Sequence, residues 1–235
     1  MIDTILFDLD GTLLPMDIDV FIKHYFVELA TYCAQWGYEP ELLIDSLKKS
    51  TIKMLHHDGL KTNEQVFWDS WIKDLGPSML QRKDDLETFY LTDFIKAKEG
   101  TKVEPLAKEL IRYLKGKGYR LIVATNPMFP KVASKQRVKW AGLDPNDFEE
   151  ITTYEDYHYT KPNVKYYEEI FDKFGLKPDQ CFMIGNDALE DLAIAQLGVD
   201  GYLVTDYLIN RENVDLSTIR TGQFSEMVQW VKENL

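Results

Sequence analysis

Thr4-Ile5-Leu6-Phe7-Asp8-Leu9-Asp10-Gly11-Thr12 is the stretch on which the reading of this chain turns. Ile5 to Phe7 form a short apolar run with a β-branched residue, as expected of a strand buried in a parallel sheet. Where the run stops, two carboxylates stand two residues apart, followed by Gly and Thr. In open α/β sheets ligands bind just outside the carboxyl ends of the strands, so a strand that ends in acid suits the floor of an active site. A plain turn begun by Asp8 and Asp10, with Gly11 supplying a positive φ, accounts for the same residues. A calcium loop of the EF-hand type also opens Asp-x-Asp. It fails here, because Leu13 stands where that loop needs Gly and no helix precedes it. Taken alone, the stretch leaves turn and active site level.

The whole chain narrows the choice. Its 235 residues suffice for one large domain, or a main domain with a smaller companion. With 45% hydrophobic and 28% charged residues the composition is that of a globular protein. No apolar run reaches membrane-spanning length, and the N-terminus lacks the pattern of a signal peptide. Cys33 and Cys181 sit far apart in apolar segments and read as buried free thiols, which fits a cytoplasmic protein. The net charge of −12 disfavours nucleic acid and anionic membranes as partners. A phosphorylated substrate therefore needs local positive charge from a metal ion or a placed Lys.

Taken in order, Asp17 is a plausible N-cap, and Phe21, Tyr25, Leu29 and Tyr32 recur at helical spacing up to a stop at Gly37. A second helix is expected over 41–56, a third capped by Asn63, and a fourth from Met79 into Tyr90 and Ile95. No period-two alternation occurs between 17 and 95. The Phe67, Trp68, Trp71 stripe reads as core, and His56-His57 as solvated surface. From Pro105 the character changes. A helix to Gly116 leads into the strand-like run 119–124, which ends in Thr125-Asn126. Pro130 opens a helix that ends near Gly142, and Ile151-Thr152-Thr153 is β-prone. Lys161-Pro162 leads into a helix ending at Gly175. The run 181–184 ends in Gly185-Asn186-Asp187, with Glu190 and Asp191 opening the next helix. Tyr202-Leu203-Val204 is a last core strand before a terminal helix. Alternating strands and helices predict an α/β fold, a three-layer Rossmann-like core with a mostly parallel sheet and an inserted all-helical module. The expected division is core at 1–15 and 97–235, helical cap at 16–96.

In a parallel sheet the strand ends share one edge. That edge would gather Asp8 and Asp10, Thr125 and Asn126, Lys161, and Asn186, Asp187 and Asp191. Hard oxygen ligands with few nitrogens suit Mg²⁺. Zinc spacing, phosphate-binding Gly loops and a Gly-x-Ser-x-Gly elbow are all missing.

These four ordered motifs resemble those of the haloacid dehalogenase superfamily, in its phosphatase branch with a helical cap inserted after the first strand. The resemblance spans residues 1 to about 205. It implies a Mg²⁺-dependent phosphatase acting on a small phosphorylated metabolite through an aspartyl-phosphate. Asp8 is then the nucleophile and Asp10 the general acid and base. Thr125 and Asn126 bind the phosphoryl oxygens, and Lys161 neutralises charge. The metal is held by Asp8, the Asp10 carbonyl and a carboxylate of the last motif. There the usual Gly-Asp is replaced by Gly185-Asn186. The sequence reading favours Asp187 as the ligand over Asn186 and Asp191, because a carboxylate binds Mg²⁺ better than an amide. A phosphomutase of the same superfamily and a non-catalytic binding protein are the alternatives. Trp36, His56, Trp68 and Trp71 are the candidates for substrate contact from the cap, and the sequence leaves the oligomeric state unread.

Overall fold

The computed structural model describes residues 1–235. Six strands form one parallel sheet: β1 (Thr4–Phe7), β2 (Arg120–Val123), β3 (Glu150–Ile151), β4 (Cys181–Gly185), β5 (Asp200–Val204) and β6 (Arg220–Gly222). Their order is β3-β2-β1-β4-β5-β6, with every neighbouring pair parallel. The chain winds one way from β1 through β2 to β3, then returns to the other side of β1 for β4. Such a reversal opens a crevice at the carboxyl ends of the two strands that flank it. Here those strands are β1 and β4, and Phe7 is in register with both Val123 and Ile184. The motifs that follow these three strands therefore leave the sheet at one level.

Period-two alternation sorts the side chains of each strand onto two faces. Ile5 and Phe7 of β1 join Leu121, Val123, Phe182 and Ile184 in one apolar cluster, beneath helices α5 (Pro105–Gly116) and α8 (Phe224–Asn234). Leu6, Ile122, Cys181 and Met183 point the other way, against Tyr166, Tyr167 and Ile170 of α7 (Val164–Phe174). Both cysteines are buried and free.

Between β1 and α5 the chain is helical: α1 (Ile18–Cys33), α2 (Pro40–Leu55), α3 (Asn63–Leu75) and α4 (Lys83–Leu91), with 3₁₀ turns at Pro77–Arg82 and Asp93–Gly100. Asp17 caps α1 through the Asp19 and Val20 amides, and Gly37 ends the following turn in the left-handed region. Two details differ from expectation. Thr62, not Asn63, caps α3, through a capping box with Gln65, while Asn63 is fully buried. The single fourth helix is broken into α4 and two 3₁₀ segments, following Gly76-Pro77 at one end and Thr92 at the other. The helical stretch thus runs to Gly100, four residues beyond the expected 96. Its entry and exit lie side by side: Lys102 N donates to the Pro15 carbonyl (2.9 Å) and Asp17 N to that of Gly100 (3.1 Å).

The helical stretch shares its core with the sheet. The cluster that holds Phe7 continues without a break through Phe21, Trp71 and Phe94. Phe94 is fully buried and its ring centroid lies 4.7 Å from that of Trp140 at the end of α6 (Lys131–Trp140). Truncation there leaves a cavity that joins both parts. Phe94→Ala is expected to lower stability by about 3–5 kcal/mol in urea titrations. Far- and near-ultraviolet circular dichroism should still follow one common transition, and a separately melting helical stretch would contradict the shared core.

Candidate active site

Lys161 organises the site. Its side chain is fully buried, and Nζ donates to Asp8 Oδ1 (2.9 Å) and Asp191 Oδ1 (2.6 Å). Burial alone pulls its pKa down, but Asp191 and Asp8 more than offset this, so Lys161 is held protonated. Asp191 is as buried, and its second oxygen accepts from the Asn186 and Asp187 amides, each at 2.9 Å. One carboxylate thus ties Lys161 to the loop after β4. Asp8, at the end of β1, has its pKa raised by burial and by neighbouring Asp191 and Asp10, with Lys161 opposing. Lys161 holds one of its carboxylate oxygens, and the side chain keeps 12% exposure.

Asp10 lies in a tight turn in which Gly11 N bonds the Leu14 carbonyl and Leu14 N that of Leu9, both at 2.8 Å. Gly11 has φ +88°, and a Cβ there would meet Asn186 Nδ2 at 2.2 Å, so both conformation and contact require glycine. Asp10 Oδ2 accepts from Arg137, while Oδ1 is buried without a partner. Arg137 belongs to α6, is 1% exposed, and stacks over Phe129 at 4.4 Å. Sequence reasoning passed over it. The available signal was an arginine in the buried register of α6 beside Ala133, Ser134 and Val138.

The remaining motif residues converge on the same edge. Asn126 Oδ1 accepts from Lys161 N (3.3 Å), and Nδ2 donates to the Lys161 carbonyl (3.4 Å) and Glu190 Oε2 (3.0 Å). Its side chain therefore joins the loops after β2 and before α7, and its backbone N–H makes no backbone hydrogen bond. Thr125 is buried, and its carbonyl accepts from Thr152 Oγ1 and from the Tyr166 hydroxyl. After β4, Asp187 Oδ1 accepts from the Leu189 and Glu190 amides (2.8 Å each), closing its own turn. Asn186 instead faces the first motif. Thr12 donates to its Oδ1 (3.1 Å), and its Nδ2 donates to the Tyr207 carbonyl (2.6 Å), which fixes the orientation of the amide.

Asn63 also escaped the sequence reading. It donates to the carbonyls of Pro127 (3.2 Å) and Tyr159 (3.3 Å) and pairs with His57 Nε2 (2.8 Å). The helical stretch is thereby latched onto the loop that follows Asn126. A buried Asn at the start of a helix looks like an ordinary cap in sequence. His56 is exposed, as expected.

A divalent cation suits this donor set. No three His, Cys, Asp or Glu side chains converge on one point. Mg²⁺ does not require them, since it is held by one or two carboxylates and completes its shell with water and substrate oxygens. Asp8, the Asp10 carbonyl, which accepts no backbone hydrogen bond, and the Asn186-Asp187 loop provide oxygen donors at one edge. Burial raises the pKa of Asp8, with Asp191 and Asp10 adding to it against Lys161, and a cation at this edge would favour the ionised form.

Glu190 is half-buried, and burial raises its pKa to about 7. Between about pH 4.5 and 7 the native state therefore retains a proton that the unfolded chain has lost, so this group withdraws stability as pH rises. In metal-free buffer the urea midpoint of Glu190→Gln, relative to the parent, should climb from pH 5 to pH 7. A constant difference would exclude the shift.

Residues 2–198 match the family described as haloacid dehalogenase-like hydrolase. A glyceraldehyde 3-phosphate phosphatase from Methanothermobacter thermautotrophicus is 35% identical over 101 residues, covering 42% of this chain and 43% of that protein. A HAD phosphatase from Thermococcus onnurineus superposes with a TM-score of 0.60 over 98% of both chains at 16% identity. The L-2-haloacid dehalogenase from Xanthobacter autotrophicus gives 0.59 over 100% of both chains at 12% identity. These two likenesses are of fold. With the family match over most of its length and a parallel sheet that brings its ordered motifs to one edge, the chain belongs to the haloacid dehalogenase-like hydrolases.

Proposed function

We propose that the protein is a Mg²⁺-dependent phosphatase that hydrolyses a phosphate monoester through an aspartyl-phosphate on Asp8. The observation that carries this reading is the fully buried Lys161 ammonium shared by Asp8 and Asp191 at the switch point of the sheet. A buried ammonium costs too much to serve as a plain surface lysine, and its place suits screening of negative charge brought by a substrate.

In this mechanism Lys161 holds Asp8 Oδ1, and an Asp8 oxygen attacks phosphorus. The bond from phosphorus to the ester oxygen breaks as Asp10 gives that oxygen a proton. Asp10 then takes a proton from the water that attacks the aspartyl-phosphate, releasing inorganic phosphate and restoring Asp8. The unpartnered Asp10 Oδ1 is the oxygen available for this exchange, since Arg137 occupies Oδ2. Thr125 and the free backbone N–H of Asn126 bind phosphoryl oxygens. Mg²⁺, when bound, neutralises phosphoryl charge and orients the ester. Asp8, the Asp10 carbonyl and Asn186 would hold it. The Asn186 amide faces the first motif, its Oδ1 accepting from Thr12, which favours it over Asp187, whose Oδ1 serves its own turn. Residues 16–96 act as the cap over this edge.

Two measurements test this. With Mg²⁺ and an aryl phosphate the protein should turn over, and a chelator should stop it reversibly. Asp8→Asn should fall to background, and Asp10→Asn should lose about 10²–10⁴-fold in kcat. No turnover on any monoester, or full activity of Asp8→Asn, overturns the reading. Asn186→Asp should lower the Mg²⁺ concentration for half-maximal activity by about tenfold, because a carboxylate replaces an amide. If Asp187→Asn raises that concentration and Asn186→Asp leaves it unchanged, Asp187 is the ligand.

A further inference from the structure

A cavity of about 830 Å³ lies between α1, α2, α3 and α4 and the segment 128–135. That volume falls within the range of sites that enclose an organic ligand. Tyr25, Phe67, Trp68, Trp71, Phe129 and Tyr154 form its aromatic walls. Three features indicate what it accepts. Its core-side wall is Met128-Phe129-Pro130, directly after Asn126-Pro127. The Phe129 ring lies under the Arg137 guanidinium that binds Asp10, so the cavity and Asp10 flank one stacked pair. Second, Trp68 is 7% exposed and its indole lies beside the Tyr154 hydroxyl of the same wall, so the polar groups of this wall face each other. Third, two ammonium groups of the lining are already matched, Lys83 by Glu64 (2.5 Å) and Lys131 by Asp156 (2.7 Å). Lys48 and Lys135 of the lining make no ion pair, Lys48 lying over Phe26, but most of the lining is hydrophobic and selects for apolar surface.

We propose that this cavity receives the alcohol portion of the substrate, and that the substrate class is the phosphate monoester of a long apolar alcohol. The inference rests on the phosphatase reading and specifies its leaving group. A two- or three-carbon polyol would fill little of the space. An apolar chain suits this lining, and Phe129, stacked on Arg137, links it to Asp10.

A series of n-alkyl phosphates from ethyl to octyl tests this, because chain length changes while the acidity of the leaving alcohol stays nearly constant. Each buried methylene should raise kcat/KM about fourfold, so with six more methylenes octyl phosphate should exceed ethyl phosphate by about four thousandfold. Thr51→Trp, which projects an indole into the cavity from α2, should cut the octyl-to-ethyl ratio at least about tenfold. In Asp8→Asn protein, octyl phosphate should shift the tryptophan emission, and Trp68→Phe should diminish that shift. A flat kcat/KM across the series, with ethyl phosphate turned over, overturns the cavity assignment and leaves the phosphatase reading intact. Failure to hydrolyse any monoester, with octyl phosphate still shifting the emission, overturns the phosphatase reading instead.

Discussion

A buried ammonium shared by two carboxylates is the constraint on which the rest of this structure depends. Lys161 is fully buried, so its charge must be matched inside the protein. Asp8 reaches it from β1 and Asp191 from the loop after β4. The two strands are adjacent, and Phe7 is in register with Ile184, so both carboxylates leave the sheet at one level. Asp191 also accepts two backbone amides of its loop. Moving any one of these groups would leave another charged and unpaired. Function and fold draw on the same contacts here, because the residues that hold the site together are those proposed to react.

A second constraint acts through the helical stretch. Its aromatic core is continuous with that of the sheet, and Asn63 bonds the carbonyls of Pro127 and Tyr159 while Glu64 N bonds that of Tyr154. The segment that follows Asn126 is therefore held from two sides. The sheet fixes where it starts, and α3 fixes where it runs. An insert entering by one chain crossing and leaving by another beside it still controls the loop carrying the proposed phosphoryl contacts.

Legibility in the sequence followed the strength of each local signal. Apolar runs bounded by Gly, Pro or acid marked β1, β2, β4 and β5, since a strand buried on both faces has no polar alternation to blur it. β6 went unread because Arg220-Thr221-Gly222 has no apolar pattern and is placed by pairing with β5. The segment after Asp191 was read as a helix and is a 3₁₀ turn over Leu192–Leu197, which carries the same short-range periodicity. Asp8, Asp10, Lys161 and the Asn186-Asp187 pair were legible because they follow strands in family order. Arg137 and Asn63 were not, because their partners lie 127 and 64 residues away. Of the aromatic candidates, Trp68 and Trp71 line the cavity, while Trp36 stacks against Arg82 away from it.

The charge balance of the site joins these strands of argument. Within the −12 chain, Asp8, Asp10 and Asp191 face only Lys161 and Arg137, so the site alone carries a surplus of negative charge. A dianionic phosphate would worsen that surplus. A divalent cation held at this edge would offset it and favour an anionic ester. Burial raises the Asp8 pKa, and neighbouring Asp191 and Asp10 raise it further against the opposing Lys161. A cation held by Asp8, the Asp10 carbonyl and Asn186 would supply positive charge beside Lys161, and Lys161 and Arg137 already hold one oxygen each of Asp8 and Asp10.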